Sequence, residues 1–156
     1  METRKIEVPN DILISEIKRA IEQGKTATFR VKGYSMRPFL DNNRDIVKIE
    51  HITPEAISVR DVVLAEIEPK QYVLHRVISR TDNQLTLKGD GNVKGVEHCI
   101  DTQVIGIATA FYRKGRKTPD LVTERKWKLY SSVWLALTPM RRILLGIYRR
   151  LILKNP

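Results

Sequence analysis

Between Thr26 and Tyr112 the chain breaks into six short alternating runs, each bounded by turn chemistry. They are Thr26 to Tyr34, Arg44 to Glu50, Asp61 to Ile67, Tyr72 to Ser79, Gln84 to Lys88 and Gln103 to Tyr112. Their β-branched residues and period of two suit half-buried strands, because successive side chains of a strand point to opposite faces. Asp41-Asn42-Asn43, Glu68-Pro69-Lys70, Thr81-Asp82-Asn83 and Gly89-Asp90-Gly91-Asn92 supply the turns between them. Several short strands at this spacing predict an all-β, barrel-like core. Arg44 to Glu50 and Arg60 to Glu66 look alike, which two strands of similar role explain as well as a duplication does.

Helical patterns flank this core. Residues 11 to 23 place Ile12, Leu13, Ile14, Ile17, Ala20 and Ile21 on an apolar face, with Asn10 or Asp11 as cap and Gly24 as stop. Residues 125 to 154 predict two helices hinged at Thr138-Pro139. In the second, Met140, Ile143, Leu144, Ile147, Tyr148 and Leu151 share one side, and Arg141, Arg142, Arg149 and Arg150 the other. The expected organisation is an N-terminal helical segment (1–24), a β domain (25–113), a polar linker (114–124) and a basic amphipathic tail (125–156).

Charge separates the same parts. Residues 113 to 154 carry twelve Lys and Arg against two acids, Asp120 and Glu124, while the rest of the chain balances sixteen against sixteen. The net charge of +10 therefore resides in the tail. Three readings of it arise: a helix pair lying on an anionic membrane, a helical cap docked on the β domain or a partner, and nucleic-acid binding. The aromatic-rich apolar face favours the membrane, with Trp127, Trp134, Arg141, Arg142, Tyr148, Arg149 and Arg150 as contacts. With no base-reading motif visible, nucleic acid is not an expected partner. One cysteine, Cys99, precludes an internal disulfide. Met1 to Glu7 has no apolar run after its charges, and no apolar stretch matches a bilayer span. The expected location is the cytoplasm, with the tail on the inner membrane face.

The chemistry concentrates in three short motifs. Ser35 sits in Gly33-Tyr34-Ser35-Met36-Arg37-Pro38, where a small residue before it and a proline after it set the backbone direction. His75 lies in Val73-Leu74-His75-Arg76-Val77-Ile78, and Asp90 in Gly89-Asp90-Gly91-Asn92. A serine hydroxyl is a weak nucleophile until a base takes its proton. An imidazole is largely neutral near pH 7 and can be that base, whereas a lysine would have to lose about three pKa units. Asp90 would fix the imidazole tautomer, with Asp101 as the substitute acid, and the Ser35 N–H would serve the oxyanion. Met36, Arg76 and Asn92 have structural or substrate-side roles in this scheme. His98-Cys99 belongs to no ligand set of recognisable spacing, so neither metal nor cofactor is expected, and His51 reads as a loop residue.

These motifs, in this order, resemble the type I signal peptidase superfamily, which includes the self-cleaving SOS repressors. The resemblance rests on Ser35 to Leu40, Arg44 to Ile49, Arg60 to Ala65, Val73 to Ile78 and Leu87 to Asn92, and covers residues 26 to 112. It implies a compact β fold with serine and base at one edge, cleavage after small residues of an extended peptide, and membership of the Ser-His branch through Ser35, His75 and Asp90. The sequence departs from the family in Arg44 and Arg60, where glycine precedes the strand aspartate. It also has Gly33 in place of a hydroxyl-bearing residue, and only the helix at 11 to 23 where a membrane anchor is implied. The expected function is a serine endopeptidase acting on a peptide or protein substrate. The alternative, motivated by those departures, is a catalytically silent peptide-binding or membrane-recruited module. A self-cleaving regulator ranks last, because little sequence precedes the β core to form a DNA-binding part.

Overall fold

A computed structural model describes residues 10–153. The stretch Met1 to Glu7 and the last residues of the tail lie outside them. Helix α1 (Asn10–Glu22) buries Ile14, Ile17 and Ile21, one face of a 3.6-residue period. It ends in a Schellman arrangement: the Lys25 N–H donates to Ala20 O at 2.9 Å and the Gly24 N–H to Ile21 O at 3.0 Å, with Gly24 at φ +73°.

Seven antiparallel strands follow in the spatial order β1 (Ala27–Arg30), β2 (Ile46–Glu50), β7 (Val104–Tyr112), β3 (Val62–Glu68), β4 (Gln71–Thr81), β5 (Gln84–Lys88) and β6 (Glu97–Ile100). A short β8 (Asp120–Leu121) pairs with β7. The architecture is the mainly-β fold with helical ends that the alternation predicts. Two strands were not expected: β6, inside the sequence after the Gly-Asp-Gly-Asn turn, and β8, inside the segment read as a polar linker.

The period of two sorts β3 and β4 onto two cores. Val62, Leu64, Tyr72 and Leu74 face a core shared with α1, Val47, Ile49, Phe111 and Trp127. Val63, Ala65, Val73 and Val77 face a second core with Leu85, Leu87 and Cys99. His75 lies opposite Val63, and Arg76 opposite Val62. The two neighbours therefore point to opposite faces of the sheet.

Helices α2 (Arg125–Ala136) and α3 (Arg141–Leu151) are docked on the β domain, and this corrects three of the seven expected membrane contacts. Trp127 and Trp134 are buried. Trp127 packs on Phe111 and Phe39 with ring centroids 4.6 and 4.8 Å apart, and Tyr130 stacks on Trp134 at 6.3 Å. Arg141 is only 2% exposed and lies over the Trp134 ring at 5.3 Å. Aromatic surface that the sequence assigns to lipid is thus used up against Phe39 and Phe111. Arg142, Arg149 and Arg150 remain exposed, and Tyr148 is half-buried.

Candidate active site

Ser35 belongs to the loop that leaves β1 and crosses to β2. Gly33 opens the loop at φ +85°, a left-handed conformation that favours glycine, and its N–H donates to Asn42 Oδ1 at 2.8 Å. The Arg37 N–H donates to Tyr34 O and the Leu40 N–H to Met36 O, winding the loop around the serine. Met36 is buried beneath it, a structural role.

The Gly-Asp-Gly-Asn turn is pressed against this loop. The Gly91 N–H donates to Ser35 O at 2.7 Å. A Cβ on Gly89 would fall onto the Ser35 carbonyl oxygen, and one on Gly91 would come within 2.7 Å of Tyr34 O. Both glycines are therefore required by a backbone-to-backbone approach that no side chain can share. The Asn92 N–H closes the turn on Gly89 O at 3.0 Å, so Asn92 is part of the same support.

Asp90 does not orient His75. Its carboxylate accepts a bidentate pair from Arg76, Nε to Oδ1 and Nη2 to Oδ2, each at 2.8 Å, with both side chains essentially inaccessible. The α2 helix closes over that pair. Ser131 Oγ lies 2.7 Å from Arg76 Nη1, Tyr130 donates its phenol to Asp90 Oδ2 at 3.4 Å, and Trp134 Nε1 donates to Asp90 O at 3.1 Å. Burial and the Asp90 charge push the Tyr130 phenol well above its ordinary value, so it stays a donor. Arg76 extends onto the Trp127 side of the sheet, and Asp90 follows it there. Asp101, the substitute acid, is taken by Arg80 Nη2 at 2.9 Å.

The acid that meets His75 is Glu97. His75 Nδ1 lies 2.7 Å from Glu97 Oε2, the imidazole being buried and the carboxylate half-buried. The register explains the meeting. Arg76 pairs with Lys88 at the end of β5, so His75 lies one position beyond that strand. Glu97 opposite Leu87 and Cys99 opposite Leu85 share the face of the second core, which is also the face of His75. With Nδ1 on Glu97, Nε2 is the nitrogen left to receive a proton.

Ser35 and His75 border one cavity of about 160 Å³, whose remaining wall is mostly apolar: Ile14, Phe29, Val31, Met36, Leu64 and Leu74 among others. Lys88 borders the turn instead. Burial and Arg141 push its amine below the ordinary value, and its Nζ donates to Val93 O at 3.3 Å. The sequence signal for Glu97 was available in principle, since Glu97 and Cys99 alternate with exposed His98 and Ile100. A run of four residues between turns is too short to distinguish from loop by pattern. No helix among the described residues is long and apolar enough to cross a membrane. Compared with known protein families, curated proteins and solved structures, the chain matches none.

Proposed function

We propose that this chain is a serine endopeptidase of the signal-peptidase-like kind, with Ser35 as nucleophile, His75 as general base and Glu97 as the acid that orients it. The observation that carries the reading is the 2.7 Å His75–Glu97 contact on a histidine that shares a cavity with Ser35. In this reading Ser35 Oγ attacks the scissile carbonyl carbon as its proton passes to His75 Nε2. The imidazolium, stabilised by Glu97, then protonates the leaving amine. Water hydrolyses the acyl-enzyme by the same route in reverse roles. The Ser35 N–H would serve the developing oxyanion. The small apolar cavity suits an extended peptide with a small side chain beside the cleaved bond. Cys99 is a free buried thiol, which fits a reducing compartment, and we place the enzyme in the cytoplasm.

The test is cleavage of a diverse peptide mixture, with new chain ends identified by mass spectrometry. Wild type is expected to produce ends that Ser35→Ala and His75→Ala each lose by at least about a hundredfold, with circular dichroism unchanged. Equal products from all three proteins would sink the peptidase reading and leave a peptide-binding module on the same fold.

A further inference from the structure

The α3 helix presents its faces in an unexpected order. Arg141 and Leu145 turn inward against the β domain, with Tyr148 half-buried beside them. The outward side carries Ile143, Ile147 and Leu151, which are 61, 48 and 68% exposed. Arg150, exposed, lies next to Ile143 at the edge of that stripe, and Arg142 and Arg149, also exposed, continue the same arc toward the buried face. The α2 helix separately exposes Leu129 and Val133, one turn apart. A docked helix ordinarily turns its aliphatic face to the core and its arginines to water. Here a buried arginine holds the helix, its guanidinium donating to Gly89 O at 3.4 Å and to Thr138 Oγ1, while aliphatic side chains point away.

Charge decides what covers this surface. No Asp or Glu occurs from 125 to 153. A cavity of about 570 Å³ in the β domain, lined by Arg30, Arg44, Arg113, Lys114, Arg116 and Lys117 among others, adds to the positive surface of the molecule. A second copy of the chain would bring two such cationic faces together, which electrostatics opposes. An anionic bilayer satisfies both features, taking aliphatic side chains at the acyl boundary and arginines at the phosphates. We propose that α3 forms a docking surface for anionic membranes, with Ile143, Ile147 and Leu151 entering the interface, Arg150 meeting the headgroups beside them, and Arg142 and Arg149 adding positive charge close to the surface. This goes beyond the peptidase reading and does not depend on it.

The test is sedimentation of the full-length Ser35→Ala chain with phosphatidylcholine vesicles, alone or with about one third phosphatidylglycerol. Binding to the anionic vesicles only is expected, weakening about fivefold for Arg150→Gln and further when Arg142 and Arg149 are changed to Gln as well. It should also fall steeply at about 0.5 M salt. Ile143→Glu with Ile147→Glu should abolish it with circular dichroism unchanged. The arginine series avoids the inward face, so it gives an answer even if the glutamate pair misfolds. No binding, equal binding to both vesicles, or a concentration-dependent dimer that the glutamate pair breaks would each overturn the proposal.

Discussion

His75 and Arg76 are adjacent, yet each takes a different carboxylate, and the difference separates the proposed chemistry from stability. Arg76–Asp90 is a fully buried bidentate pair under α2. Removing one charge strands the other in the interior, which costs about 3–5 kcal/mol. Glu97 is half-buried at the edge strand β6 and meets a histidine rather than a permanent cation. Asp90→Asn is therefore expected to lower unfolding free energy by about that amount in urea titration. Glu97→Gln should leave stability within about 1 kcal/mol and cut cleavage by roughly 10²–10⁴-fold, as loss of an orienting acid does elsewhere. If Asp90→Asn is the one that keeps stability and loses cleavage, the assignment of roles is reversed. The sequence offers both acids, but a Gly-Asp-Gly turn advertises itself and a lone glutamate does not. Choosing between them requires knowing that His75 and Glu97 lie on one face of the sheet and Arg76 on the other.

At the level of elements, Asp45 at the start of β2 gathers three segments. It accepts the Asp41 N–H from the end of the serine loop at 2.8 Å, the Lys114 N–H after β7 at 3.1 Å, and the Arg44 guanidinium at 2.7 Å. Burial alone would raise this carboxyl, but the hydrogen bonds from Arg44, Asp41 and Lys114 outweigh it and hold the carboxyl below its ordinary value of 3.8. A group depressed in the folded state stabilises it fully above the unfolded value and loses that contribution as pH falls through the folded one. Asp45→Asn should thus destabilise by about 1.5–3 kcal/mol at pH 7, with the gap to wild type narrowing below about pH 4. Comparing the two proteins cancels Asp61, whose carboxyl burial pushes the other way. A pH-independent gap in urea titration would remove Asp45 from the acid response. Six strands, β1 to β5 and β7, were legible because each has its own alternation and turn. The four-residue β6 and two-residue β8 were not, since their existence depends on partners already in place. The role of α3 was half legible: its amphipathicity is local, but which side faces inward is set by Arg141 reaching the Gly89 carbonyl.

On the scale of the whole molecule, the basic tail is part of the β domain's core rather than an appendage. The composition shift at residue 113 suggests a boundary, yet β8 pairs with β7 beyond it and Trp127 completes the core around Phe39 and Phe111. The tail also seals the turn that supports Ser35. Trp134 and Arg141 hold the carbonyls of Asp90 and Gly89, and that turn holds Ser35 through Gly91. The C-terminal helices are thus joined to the Ser35 loop through a few hydrogen bonds. Trp127→Ala should cost about 3–5 kcal/mol as a core cavity, whereas Leu129→Ala, two residues away and 67% exposed, should stay within about 0.5 kcal/mol. Ending the chain after Glu124 goes further, because it uncovers the Arg76–Asp90 pair and the Phe39–Phe111 surface together. That truncated chain is expected to show no cooperative thermal transition by near-ultraviolet circular dichroism. A sharp transition at the wild-type midpoint would instead mean that the β domain stands alone and the helices are merely attached to it.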